Sequence, residues 1–516
     1  AGVVMRAWKR AVIGGYATSH QPQFPMVRRL TLLLAFAAFS GHAYQRAGVV
    51  MRATSGPNAK TNRFRNLASS VRRLAVSTGA SVDEVGLVNK DFVCDDDTAT
   101  CEVKTVPKKK QRDRLVCRID DRWVDLTGWR NAHPAGTHWI DLYDKADATE
   151  VMHGFHSGEA MKMLSRLPAA RPEDVPSEEV CPTPTKATYA FRELRTKLEE
   201  EGWFKRNAVG EAGHLLGWCG TMAAAIFAAK SGNFVLSAVM LAVSNTGAGW
   251  IAHDYTHGRG KWCSFMRGFG ELCGGMSTTW WSDKHNLHHA LTNVVGIDED
   301  LMVDPALFLW QPSPENDNWL RKIQHWYWAL PYSMLFAIWR IDSVKVAMNR
   351  KLNGELFRLA AHYAIWAMIF PVKVLLPAVF LSGLLTATIV TVSHISEDLF
   401  FDGPHKVDYV EAQLRSTRDF KCSNPVFEYL SGGMNYQIEH HLFPIMPRYK
   451  YPALQKVLQK FAAEHNIEYR LDGDWQVLRR TINNLASIAK KELDPNGPRS
   501  RPAGRTTGLK RLFSSG

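Results

Sequence analysis

The sequence predicts a mainly α-helical membrane protein: a four-helix transmembrane domain with a metal-binding cap on one face, preceded by a small α+β domain. Three observations predict this class. Four long segments almost lack charged residues, three histidine clusters flank those segments, and a region that looks like a small soluble domain precedes a proline-rich stretch. With 516 residues, the chain is long enough for two or three domains.

Residues 1–90 are predicted to form a targeting leader. Residues 1–82 hold twelve Lys or Arg and no acid, which is nearly all of the net charge of +13. A basic charge confined to a leader indicates targeting and argues against a nucleic acid partner. The apolar run Leu30–Phe39 after two arginines is typical of a signal peptide, and the acid-free stretch Tyr44–Arg73 of a transit peptide. Together they resemble the bipartite presequence of plastid proteins; the alternatives are an ordinary disordered N-terminus and the endoplasmic reticulum as the destination.

The rest of the chain divides by composition. We predict a small domain at 105–166, a proline-rich linker at 167–187, a membrane domain at 188–490 and a disordered basic tail at 491–516. The eight cysteines include no CxxC pair, so they do not predict a zinc site. Cys94 and Cys101 are either a disulfide or, as we favour, free thiols in a reducing compartment.

Four segments are candidates for membrane spans. They are roughly His214–Ala229, Phe234–Ala252, Leu359–Val372 and Val374–Ser393. A span needs about 20 apolar residues, so the second and fourth qualify by themselves and the other two need their flanks. Because only a few residues separate the members of each pair, the four segments form two hairpins.

The hairpins place every histidine cluster on the same membrane face. One cluster directly follows the second segment, another precedes the third, and the last follows the fourth. Lysines and arginines are also concentrated on this face, at Arg321, Arg340 and Arg350 among others. The positive-inside rule therefore makes it the cytosolic face, or the stromal face in a plastid.

The clusters are H-D-Y-T-H at 253–257, H-N-L-H-H at 285–289 and Q-I-E-H-H at 437–441. Their candidate ligands are seven of the nineteen histidines: His253, His257, His285, His288, His289, His440 and His441. Offsets of three and four residues put imidazoles on one face of a helix, where they can grip a metal. Spacing does not choose between Zn, Cu, Fe and Ni. Seven or more nitrogens exceed the four that a tetrahedral zinc uses, so two metals are predicted.

These motifs resemble the histidine boxes of membrane fatty-acid desaturases, over about residues 188–470. Gln437, where most desaturases have histidine, and its continuation QIEHHLFPIMPR resemble the front-end group, which inserts a cis double bond between an existing double bond and the carboxyl end. The resemblance implies a di-iron cap that uses O2. It implies that the seven histidines are iron ligands, that His394 is a further one, and that Gln437 ligates iron or orients a neighbour.

Residues 113–160 resemble cytochrome b5, through DRWVDLTGW, HPAG at 133–136 and GFHS at 154–157. The resemblance implies haem b held by His133 and His156, with His153 as a competitor of His156. The family motif is HPGG, so Ala135 replaces a glycine; if that position needs a positive φ, alanine costs about 1 kcal/mol.

The two resemblances together predict an O2-dependent fatty-acyl desaturase, an integral membrane oxidoreductase with a lipid acyl substrate. Electrons would reach the haem from NADH through a cytochrome b5 reductase, or from ferredoxin in a plastid. A sphingolipid long-chain-base desaturase and an acyl hydroxylase with the same metal site are the alternatives. A rival from another class is a non-enzymatic haem electron carrier with idle histidine clusters.

Overall fold

The computed structural model describes residues 90–94, 101–105, 114–314, 316–401, 407–495 and 497. The predicted leader, except for residue 90, and the tail beyond residue 497 lie outside the described residues. Strands β1 (Lys90–Cys94) and β2 (Cys101–Thr105) form an antiparallel hairpin in which Cys94 is opposite Cys101. Their side chains are outside the description, so the choice between a disulfide and free thiols stays open.

The small domain is α+β, as predicted. Strands β3 (Val116–Ile119) and β4 (Arg122–Asp125) pair in an antiparallel hairpin whose inner side chains are buried. Three short helices follow: α1 (Thr137–Leu142), α2 (Thr149–Phe155) and α3 (Gly158–Leu164). The linker is irregular apart from a 3-10 turn at Pro172–Asp174. The larger domain begins at α4 (Lys186–Glu200), whose first turn is capped by the Thr185 side chain.

Three helices within the described residues are long and apolar enough to cross a membrane. They are α5 (Ala208–Lys230), α6 (Phe234–His257) and the later Val372–Thr391, and they correspond to the first, second and fourth predicted spans. The third predicted span lies in a 17-residue helix, Asn353–Ile369. At 1.5 Å per residue this helix is about 25 Å long, less than the ~30 Å hydrocarbon core, so its crossing stays a prediction.

Between the second and third predicted spans lie α7 (Gly260–Gly274), α8 (Thr278–Ala290), α9 (Gln324–Tyr327) and α10 (Ala329–Asn349). The third and fourth predicted spans correspond to α11 (Asn353–Ile369) and α12 (Val372–Thr391). Helix α10 packs along α12, where Gly383 lies against the backbone carbonyl of Ser333. Sequence reasoning did not identify α10 as an apolar helix of the bundle.

The two hairpin tips lie together, at the end of the bundle opposite the histidines. Met222 and Leu241 from the first hairpin share one apolar cluster with Phe370 and Val374 from the second. The Lys373 ammonium also lies 3.4 Å from the centre of the Phe234 ring. Both hairpins therefore turn at one level, as predicted.

The C-terminal part completes the cap. It comprises α13 (Tyr409–Ser416), β5 (Asp419–Lys421), α14 (Pro425–Ser431), α15 (Gln437–Leu442), α16 (Tyr451–Glu464), β6 (Leu471–Gly473) and α17 (Asp474–Lys490). Strands β5 and β6 pair in parallel. Apolar side chains of α4, α13, α15 and α16 form one core, centred on Phe191, Leu414, Ile438 and Leu458. This core fixes α15, which carries the third histidine cluster.

The small domain packs directly against the larger domain and is not attached through the linker alone. Its buried residues, such as Tyr143 and Val151, belong to the same apolar cluster as Ala290, Leu291 and Val294, at and beyond the end of α8. The Tyr143 hydroxyl donates to the Ala290 carbonyl at 3.2 Å. The two domains therefore share a core. The mainly α fold class is confirmed, whereas the predicted domain boundaries stay predictions.

Candidate metal centre and haem site

Three cap elements bring the histidine clusters together. Helix α6 ends with His253 and His257, α8 carries the second cluster at i, i+3 and i+4, and α15 carries the third. Helix α8 starts where it does because Gly275, at φ 72°, ends α7 in the left-handed conformation and the Ser277 side chain caps the new first turn. Every predicted metal-site residue is at least nine-tenths buried.

Five of the histidines form one group, which we call group A: His253, His257, His285, His289 and His440. A nitrogen from each lies within 4.8 Å of the others. The Nε2 atom of His285 is 2.6 Å from that of His253 and 3.1 Å from that of His289. Group A therefore draws on all three clusters.

The remaining three, group B, are His288, His394 and His441, whose nitrogens meet the same distance limit. His394 directly follows α12, so the isolated histidine of the sequence lies where the prediction put it, beside the clusters. Gln437 is buried and makes a side-chain hydrogen bond with His394. This contact supports the role of orienting a neighbour, and ligation of iron by Gln437 stays a prediction.

Groups A and B differ in the hydrogen-bond partners of their Nδ1 atoms. In group B, His288 Nδ1 is 2.8 Å from Asp298 Oδ2, His394 Nδ1 is 3.0 Å from the Ser416 carbonyl oxygen, and His441 Nδ1 is 2.9 Å from Gln413 Oε1. In group A, His440 Nδ1 is 3.2 Å from the Tyr451 hydroxyl. The Nδ1 atoms of the other four are buried without a hydrogen-bond partner among the described residues.

These arrangements fit two metal ions. Buried polar nitrogens without a partner are costly, and a metal would satisfy them. Unpartnered atoms include both ring nitrogens of His257 and the Nε2 atoms of His440 and His441. Two nitrogens bound to one metal at about 2 Å each can be at most about 4 Å apart. The nitrogens of each group lie within 4.8 Å of one another, so small side-chain shifts would bring them to a shared ion.

Burial also favours the neutral form of five of these imidazoles, and the neutral form is the one that binds a metal. Burial, reinforced by neighbouring histidines, lowers the pKa of His285, His289, His440 and His441 well below the usual value. The same cause lowers the pKa of His394 to about 3. Burial alone would raise the pKa of the Asp298 carboxyl, but the adjacent His288 lowers it.

Sequence reasoning did not predict the supporting role of the residues around the ligands. Asn293 donates its side-chain amide to the carbonyls of His394 and Asp398, so it ties the second cluster to His394. Trp281 stacks on His285 with ring centroids 4.8 Å apart, and Trp280 is buried against Trp339. Asp298 could have been found from the sequence, because it belongs to the acidic run D-E-D that follows the second cluster. No such local signal marks Gln413.

In the small domain, the rings of His133 and His156 face each other with centroids 6.0 Å apart. Bonds of about 2 Å from each ring to a central iron give roughly this separation, so the pair fits a haem. His133 Nδ1 is 3.2 Å from the Gly136 carbonyl, and His156 Nδ1 is buried without a partner in the described residues. His153 lies elsewhere, with Nε2 2.7 Å from Asp120 Oδ1.

Burial lowers the pKa of both facing histidines, that of His156 to about 4. The structure shows whether Ala135 occupies a position that needs a positive φ. The residue with a positive φ in the HPAG loop is Gly136, at 105°, whereas Ala135 does not adopt a positive φ. The glycine that the turn requires is therefore present, and alanine carries no conformational penalty at 135.

Comparison with known proteins assigns the family. A model of the fatty acid desaturase family matches residues 232–473, and a model of the cytochrome b5-like haem/steroid-binding domain matches residues 102–171. An acyl-lipid (9-3)-desaturase of Physcomitrium patens is 31% identical over 413 residues, which cover 72% of this chain and 76% of that protein. The chain therefore belongs to the fatty acid desaturase family, in the branch fused to a cytochrome b5-like domain.

Other relatives narrow the branch. A Delta(6)-fatty-acid desaturase of Caenorhabditis elegans is 29% identical over 74% of this chain and 98% of its own length. An acyl-lipid 8-desaturase of Rebecca salina is 28% identical over 70% and 89%. The prediction of a front-end fatty-acid desaturase, and hence an oxidoreductase, is confirmed. These matches give no support to the sphingolipid or hydroxylase alternatives. The family and the histidine groups indicate di-iron, and the fused domain indicates haem.

Proposed function

We propose that this protein introduces a cis double bond into a polyunsaturated acyl lipid, between an existing double bond and the carboxyl end. The observation that carries the proposal is the convergence of eight histidines into groups A and B, at one end of an apolar helix bundle. Seven come from the three clusters, and the eighth is His394, just beyond α12. C–H bonds of an alkyl chain do not react with side chains, so the bound irons supply the oxidising chemistry with O2.

The protein's own residues would bind the two irons and orient the imidazoles that hold them. Group A would hold one iron and group B, with Gln437 beside His394, the other. Asp298, Gln413 and the Ser416 carbonyl fix the imidazoles of group B, as outer partners of metal ligands commonly do. Trp281 covers His285 with its ring and excludes water from that side of group A.

Expression in a yeast host fed a panel of polyunsaturated acids tests the proposal. Mass spectrometry should locate a new double bond on the carboxyl side of an old one. A His288→Ala variant should form no product, because it removes a ligand candidate of group B; this also distinguishes the enzyme from a haem carrier with idle clusters. Hydroxylated products, or a modified long-chain base, would contradict the proposal.

His133 and His156 are proposed as the haem ligands, with the fused haem as the immediate electron donor. His156→Ala should abolish the haem absorption bands, and His133→Ala should sharply reduce desaturation. His153→Ala is the matched control, because its ring pairs with Asp120 and should leave the bands intact. Unchanged turnover in the His133 variant would show that electrons arrive from elsewhere.

The predicted leader fits two locations, a plastid membrane and the endoplasmic reticulum. We propose that location decides the external reductant: ferredoxin in a plastid, or an NADH-dependent cytochrome b5 reductase in the endoplasmic reticulum. A fluorescent protein fused after residue 90 would report the location. Reconstitution with each reductant would then show which one reduces the haem, and a mismatch between the two results would refute the link.

A further inference from the structure

One residue of the small domain contacts group A. Phe155 ends α2 and immediately precedes His156. Its ring lies edge-on to the ring of His289, with centroids 6.4 Å apart and planes at 79°. Phe155 is thus the chain neighbour of one candidate haem ligand, and its ring contacts an imidazole of group A.

Several contacts on different sides hold this arrangement. Arg192, on α4, donates to Glu150 at 2.7 Å and to Asp147 at 3.1 Å, and all three side chains are largely buried. Arg259, just beyond α6, donates to the His153 carbonyl at 3.0 Å. Together with the shared apolar core, these contacts leave α2 little freedom to move relative to α8.

We propose that Phe155, the residue next to the proposed haem ligand His156, is a positioning residue for electron transfer through its ring contact with the proposed iron ligand His289. The inference rests on the proposed function of both sites. An apolar ring is suited to this role, because it closes the gap without a polar group that must reorient when charge passes. Edge-to-face packing also fixes the ring against the imidazole.

The electron balance requires two passages for each double bond. On each passage the site of His133 and His156 would supply one electron from its bound haem to the iron site. Two such electrons, two protons from solvent and the two hydrogens of the acyl chain reduce one O2 to two waters. The external reductase or ferredoxin returns the haem to the ferrous state between passages.

The test compares Phe155→Ala with Met152→Ala in the full-length enzyme loaded with haem and iron. Met152 lies one turn earlier on α2 and packs in the same interdomain cluster, so its truncation removes similar apolar volume. Stopped-flow absorbance would follow reoxidation of prereduced haem with substrate and O2. We expect a roughly tenfold or greater slowing for Phe155→Ala, because catalysis is sensitive to displacements of about 1 Å, and near-normal rates for Met152→Ala.

Further measurements separate positioning from folding. The haem spectrum, its midpoint potential, the iron content and hydrogen-exchange protection of α8 should match wild type in Phe155→Ala. Unchanged reoxidation in that variant would overturn the inference, as would equal slowing in Met152→Ala or loss of protection in α8. A wild-type enzyme that reoxidises its haem without forming a double bond would instead refute the proposed function.

Discussion

Groups A and B are built from the same residue type but are stabilised differently. Group A has five imidazoles, four of which lack a partner for Nδ1 among the described residues. Group B has three, and each is held by a carboxylate, an amide or a backbone carbonyl. Group A therefore relies on ligand number and packing, whereas group B relies on outer hydrogen bonds. Loss of one imidazole should be more costly in group B.

The largest effect should come from removing a group B ligand. We expect His394→Ala to lower iron from about two ions per chain toward one and to abolish desaturation. The loss should exceed the roughly 10–100-fold typical for outer partners of a metal ligand. His440→Ala leaves four imidazoles in group A and should retain more of its iron. Iron analysis and product assays check this. Equal iron loss in the two variants would contradict the predicted difference between groups A and B.

Asp298→Asn should have the next largest effect. It keeps the shape and the hydrogen bond to His288 but removes the charge, so we expect about 10-fold weaker binding of the second iron. Asp300→Asn is the control, since Asp300 lies farther from His288 Nδ1, at 3.5 Å, and pairs with Lys284. Iron titration distinguishes them. If both variants bound iron with the same affinity, the contact between Asp298 and His288 would not contribute to iron binding.

Acidification should weaken the iron-free protein. The folded pKa values of His285, His289 and His440 lie below the unfolded value of about 6.5, so the unfolded chain binds more protons below that pH. The free energy of unfolding should fall as pH drops from 7.5 to 5.5, by at most about 1.4 kcal/mol per pH unit for each histidine. Thermal unfolding in detergent measures it, and His289→Gln should flatten the slope. A pH-independent melting temperature would contradict this.

The smallest effect should follow Tyr451→Phe. This change removes the hydroxyl 3.2 Å from His440 Nδ1, the one hydrogen bond to an Nδ1 atom of group A among the described residues. Because the other imidazoles of the group have no such partner, we expect less than about threefold weaker iron binding, compared with tenfold for Asp298→Asn. A loss as large as that of Asp298→Asn would mean that group A depends on outer bonds too.

The sequence predicted the histidines better than their surroundings. Helical offsets identify His285, His288 and His289, and the spans place the clusters on one face. Asn293 and Gln413 act across 101 and 28 residues of chain, on His394 and His441. Such tertiary contacts leave no local periodicity. Helix α10 was missed because its arginine and lysine interrupt the apolar pattern. The carbonyl of Ser333 at Gly383 is likewise visible only in three dimensions.

The shared core of Tyr143, Val151, Ala290 and Leu291 has a consequence for engineering. A cut in the linker would separate the chain into two recognisable modules, yet it would split one folded core and expose its apolar face. A chimera that imports a haem domain from a relative would therefore need matching changes at the end of α8 and in the loop after it. The unit of exchange in this protein is the interface, not the domain that the sequence delimits.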